Sequence, residues 1–158
     1  MKRIIAATAV AAALAAGNTQ AGNTSGTFNV NVTLTSACTL AAVSDLAFTY
    51  TSLQAGVSNA TGGGFSVSCT TSLPYTFGLQ AGSGAATPPG AATIAVTDNA
   101  VQLNYSLGLS AAGGTGSGAA QAFSVTGSMA ASQAGTCAVA SCTNAAATNK
   151  THTLIVNY

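Results

Sequence analysis

Residues 26–35 read Gly26-Thr27-Phe28-Asn29-Val30-Asn31-Val32-Thr33-Leu34-Thr35. The alternation has no fault. Phe28, Val30, Val32 and Leu34 fall on one face, and Asn29, Asn31, Thr33 and Thr35 fall on the other. Successive side chains of a strand point to opposite sides, so a period of two predicts a strand with one face to be buried. At ~3.3 Å per residue it would reach about 30 Å. Such a strand can be the first strand of its own closed sandwich. It can also add to the sheet of another molecule, and periodicity does not separate the two.

The same period recurs along the chain. It is present in Phe65–Thr70, Tyr75–Gln80, Val101–Leu109 and Phe123–Val125. Thr93–Val96 is a short apolar run, Asp45–Phe48 a partial strand, and Thr153–Tyr158 a closing strand. Gly62–Gly64, Ala81–Gly84, Pro88–Gly90 and Gly113–Gly118 lie between these runs and predict turns and loops. Many short strands with regular turn signals predict an all-β sandwich or barrel. The Ala-rich stretches at Ala130-Ala131 and Ala145–Ala147 have room for a helical turn, but not the length or apolar stripe of a helix.

Residues 1–21 predict an export signal. Met1-Lys2-Arg3 is basic, Ile4–Gly17 is apolar and small, and Asn18–Ala21 is polar with a small residue suited to cleavage. Ala16 offers a second cleavage position. The apolar run is shorter than the roughly 20 residues a membrane span needs. Of the 158 residues, removal of 21 leaves 137, enough for one domain. Beyond residue 21 the only acidic or basic side chains are Asp45, Asp98 and Lys150. So little charge excludes the basic footprint that nucleic acid demands and any electrostatic attraction to anionic lipid. It also does little to oppose self-association.

Cys38, Cys69, Cys137 and Cys142 form an even set behind an export signal, which predicts disulfides. Three pairings are formally open. The short spacing of Cys137 and Cys142 favours a small closed loop, which leaves Cys38 with Cys69. On the chain-entropy view the longer bridge stabilises by ~3–4 kcal/mol and the shorter by ~2 kcal/mol. A four-thiolate zinc site would want CxxC-type pairs, which Cys38 and Cys69 lack.

Nothing in the sequence predicts catalysis or a cofactor. His152 is the one histidine and reads as a solvated residue at a strand end. No Gly-x-Ser-x-Gly elbow supports a nucleophile, and the Gly-rich loops lack the Lys of a phosphate cradle. Asp98-Asn99 reads as a turn.

The order of these segments resembles the spore coat protein U family, which includes subunits of archaic, Csu-type chaperone–usher pili. The resemblance rests on Gly26–Thr35 running into Ser36-Ala37-Cys38, on Asp45–Tyr50, and on Val67–Thr70 followed by Pro74–Gly82. It continues through Leu103–Leu107, Gly127–Gly135 and the closing His152–Tyr158. It covers nearly the whole chain after the signal. The departure is Cys137–Cys142 and the Ala/Thr/Asn stretch after it, where the family often carries an aromatic and an Asp.

The resemblance implies an immunoglobulin-like sandwich that lacks its final strand and is completed by a donated N-terminal strand. On that reading residues 22–36 are the donor segment and 37–158 the sandwich domain. Phe28, Val30, Val32 and Leu34 would enter the groove of the next subunit. Leu154, Val156 and Tyr158 would form one apolar row on the strand that pairs with a periplasmic chaperone. Partners would be identical or related subunits, with a chaperone and an outer-membrane usher in transit. The chain would pass through the periplasm to the cell surface and serve adhesion and biofilm formation. The alternatives are a monomeric secreted β-sandwich binding module and a spore or cell-surface coat protein.

Overall fold

The computed structural model describes residues 22–158, so the signal segment lies outside the described residues. Eleven strands follow in chain order, with no helix among the described residues. They are β1 (Cys38–Leu40), β2 (Leu46–Ala47), β3 (Ser58–Asn59), β4 (Thr61–Gly62), β5 (Gly64–Cys69) and β6 (Pro74–Ala81). Then come β7 (Ile94–Thr97), β8 (Asn104–Leu109), β9 (Gly113–Thr115), β10 (Gln121–Met129) and β11 (His152–Asn157).

The larger sheet has the order β1-β5-β10-β8-β7, with β3 pairing the end of β10. A three-stranded sheet has the order β11-β6-β9, and β2 with β4 forms a short ribbon. All pairings are antiparallel.

Period-two alternation supplies the core. Phe65, Val67 and Cys69 of β5, Tyr75, Phe77 and Leu79 of β6, Tyr105 and Leu107 of β8, and Val125 and Met129 of β10 are buried in one cluster. Four rings tie the two main sheets together. Phe77 of β6 lies 5.2 Å from Phe65 and 4.8 Å from Phe123, both edge-on. Tyr75 lies 5.3 Å from Phe77 and donates its hydroxyl to Gln121 Oε1 at 2.9 Å. Edge-to-face geometry sets the positive ring edge against the negative face and adds ~0.5–1.5 kcal/mol per pair beyond burial.

Cys38 and Cys69 are direct partners in the β1–β5 register and form a cross-strand disulfide. Cys137 and Cys142 form the second bridge. With all four sulfurs so engaged, the zinc alternative falls away.

Several sequence expectations need correction. Residues 26–35 carry no strand assignment, because a strand needs a ladder and these residues have none among the described ones. The alternation over Val101–Leu109 becomes a strand only from Asn104. Ahead of it, Gln102 has φ 55° and the Asp98 carboxylate accepts the N–H groups of Ala100 and Val101, which turns the chain. The glycines at 113–118 do not form loop alone, since Gly113–Thr115 is β9 against Pro74–Thr76.

Gly78 marks a close approach. Residues 89–91 cross β6 there, with Ala91 and Leu79 exchanging both main-chain hydrogen bonds. A Cβ on Gly78 would run into Pro89 O and sit 2.8 Å from Gly90 Cα. Gly78→Ala should therefore destabilise the fold by ~1–3 kcal/mol, the usual cost of overpacking. At Gly108 the nearest atoms to a Cβ are side chains at 3.4 and 3.7 Å, so Gly108→Ala should be much milder. Urea unfolding of the two variants side by side checks this.

Candidate functional site

The sandwich is open along one flank. β11 is the last strand of its sheet, paired with β6 on one side only. Beside it runs a groove of about 740 Å³. Its lining includes a wall of Leu46, Phe48 and Tyr50, a floor of core residues Tyr105, Leu107, Val125 and Met129 with Leu103 packed on them, and Leu79 and Leu154 of the β11–β6 sheet. The wall arises from another alternating run, Leu46-x-Phe48-x-Tyr50, which continues past the short β2. Phe48 meets Tyr105 at 5.7 Å, and the Tyr50 hydroxyl accepts the Gln133 N–H.

On β11, His152, Leu154 and Val156 share a parity. Leu154 and Val156 pack against the core, while Ile155, on the other face, is buried. Tyr158 follows the strand and is 63% exposed. His152 is not the solvated residue its flanking threonines suggested. It is half-buried, because its parity with Leu154 turns it inward. Its Nε2 lies 2.8 Å from the Tyr105 hydroxyl, and its buried Nδ1 has no partner. Burial pushes the His152 pKa below its ordinary value and, aided by the charge of Asp98, pushes Tyr105 up.

One end of the groove is polar. Asp98, Asn144, Lys150, Thr151 and His152 line it together with Cys142 and Thr143. Asp98 is 1% exposed. Burial alone would raise its pKa, but hydrogen bonds from Val101 N–H, the Asn144 amide and Ala100 N–H, with the charge of Lys150, hold it below the ordinary carboxylate value. The Asn144 amide donates to Asp98 Oδ2 at 3.0 Å. Asn99 donates its amide to Thr148 Oγ1 at 2.6 Å and accepts the Thr148 N–H at 3.1 Å. Asn149 donates to Thr97 O at 2.8 Å, and Lys150 Nζ to Ala145 O at 2.7 Å. The long β10–β11 connection is thus sewn onto the turn after β7, and Cys137–Cys142 closes a small loop within it.

Phe28, Val30, Val32 and Leu34 are 86, 74, 84 and 77% exposed. The sequence singled out this row and the β11 row; it missed the groove floor and the Asp98 tie. Among the described residues there is no cluster of three metal-ligating side chains, and no helix is long and apolar enough to cross a membrane.

Fold and groove define an all-β sandwich of the incomplete kind, with one flank uncovered. The chain belongs to the spore coat protein U family: the family's domain, Spore Coat Protein U, matches residues 24–156, nearly the whole chain. That family consists of structural surface proteins of the pilus or coat type. No curated protein and no solved structure matches the chain.

The half-buried histidine gives the site a pH signature. Its folded pKa lies below the ordinary value of 6.5, so the unfolded chain takes up the proton first as pH falls. His152 therefore favours the fold above that value, and the benefit is lost as pH falls through it. Asp98 acts in a separate window, with stability present above 3.8 and lost as pH drops through its lower folded value. Urea midpoints should fall from pH 7 to pH 5 in the native protein and flatten in His152→Gln. An equal slope in both would remove His152 from the explanation.

Proposed function

We propose that this protein is a structural subunit of an extracellular chaperone–usher pilus, polymerising by donor-strand complementation. One observation carries the reading. The same chain holds an apolar groove beside an unpaired strand edge and a perfectly alternating segment whose four large apolar side chains face water. Burying each such side chain is worth ~1.5–3 kcal/mol. A strand laid along β11 would also satisfy that strand's free edge, as in strand-addition complexes generally. The donor is residues 22–36 of a neighbouring copy, with Phe28, Val30, Val32 and Leu34 facing into the groove.

In transit, a periplasmic chaperone covers the same edge, along the strand that carries Leu154, Val156 and Tyr158, and an outer-membrane usher exports the subunit. Residues 1–21 direct it to that route. Adhesion and biofilm formation are the roles of such a fibre. The near absence of charge suits a surface that packs against copies of itself. The monomeric binding-module alternative has less behind it, because Phe65, Phe77, Tyr75 and Tyr105 are spent in the core.

A charge in the donor row would be desolvated without a partner, at a cost of several kcal/mol. Val32→Asp should abolish surface fibres while the subunit still accumulates in the periplasm with its chaperone. Thr33→Asp points to the opposite face and should assemble nearly normally. Electron microscopy of cells, with immunoblots of periplasmic extract, reads both. If Val32→Asp instead unfolds the subunit, the segment belongs to its own sandwich and donation is wrong.

A further inference from the structure

Alternation alone cannot fix where a strand stops in a groove. A slip of one residue turns the apolar face outward and is excluded. A slip of two keeps the face and merely moves every side chain by about 7 Å. Two-residue slips must therefore be blocked at an end. The row Phe28, Val30, Val32, Leu34 is bounded at the same parity by small residues, Gly26 and Ser36. The groove ends, at His152, in a polar wall carried by Cys142, Thr143 and Asn144. That wall is cross-linked without help from any occupant, through Asp98–Asn144, Asn99–Thr148 and the Cys137–Cys142 bridge.

We infer that the disulfide-closed β10–β11 connection is an end stop that sets the register of the strand filling the groove. The inference rests on the reading that this strand is residues 26–36 of a second copy. A small residue, Gly26 or Ser36 according to strand direction, lies against the wall, and no larger side chain fits there. The Asp98 carboxylate, by accepting the Asn144 amide, holds the wall in place and is a positioning group.

The test uses the full chain carrying Val32→Asp, so that copies do not fill one another, and synthetic peptides of residues 24–37. The peptides are the native one, Gly26→Leu and Ser36→Leu, with affinity read by fluorescence anisotropy. One extended peptide should bind at least about tenfold more weakly than the native one, as expected for overpacking. In a protein that also carries Cys137→Ser, Cys142→Ser and Asn144→Ala, that loss should shrink to under about threefold. Binding of the native peptide shows that this opened variant is folded. If it does not bind, Asn144→Ala alone, with the disulfide intact, serves as the opened wall. No loss with either extended peptide, or a loss that opening the wall leaves unchanged, overturns the stop while donation stands. Failure of the native peptide to bind the closed protein overturns donation, and the stop with it.

Discussion

Two sheets of unequal width are held face to face by Phe65, Tyr75, Phe77 and Phe123. These rings sit on β5, β6 and β10, and the Cys38–Cys69 bridge fastens β1 to β5 on the same sheet. The aromatic contacts need nothing from the flank where β11 has no outer neighbour. The groove floor at Tyr105, Leu107, Val125 and Met129 is continuous with the ring cluster in one core. A sandwich clamped in this way can keep its apolar side chains packed while the groove beside β11 stays open. An incomplete fold of this size would otherwise collapse or open, since interiors tolerate unfilled volume poorly.

Much of the architecture was legible because alternation survives in the strands that matter. Phe65/Val67/Cys69, Tyr75/Phe77/Leu79 and Tyr105/Leu107 are the buried rows that the sequence pattern indicates. Alternation misled where something other than a ladder fixed the chain. It runs through Val101 and Leu103, yet the Asp98 carboxylate and the left-handed Gln102 bend the backbone there. It is strongest at residues 26–35, yet no ladder forms, because a sequence period states which face wants cover and not which molecule supplies it.

The candidate site was legible in part. Of the expected β11 row, Leu154 and Val156 pack against the core while Tyr158 lies past the strand and is exposed, and the same parity would have placed His152 inward had the flanking threonines carried less weight. The Leu46/Phe48/Tyr50 wall has a readable period but almost no ladder, so it looked like half a strand. The tie from Asp98 to Asn144 joins residues 46 positions apart through side chains alone, and no local pattern signals such a bond.

The strand that borders the groove lies far along the chain from the strand it pairs with. After pairing with β9, β6 waits until residue 152 for its second partner, and the register then runs Ala81 with His152 back to Thr76 with Asn157. Closing so long a loop is slow, because its entropy is lost before the ladder repays it. Until β11 arrives, the free side of β6 is an unpaired, aggregation-prone edge. A chain that lacks His152–Asn157 leaves that edge open. Pairing of β11 with β6 is thereby a condition for having a groove at all.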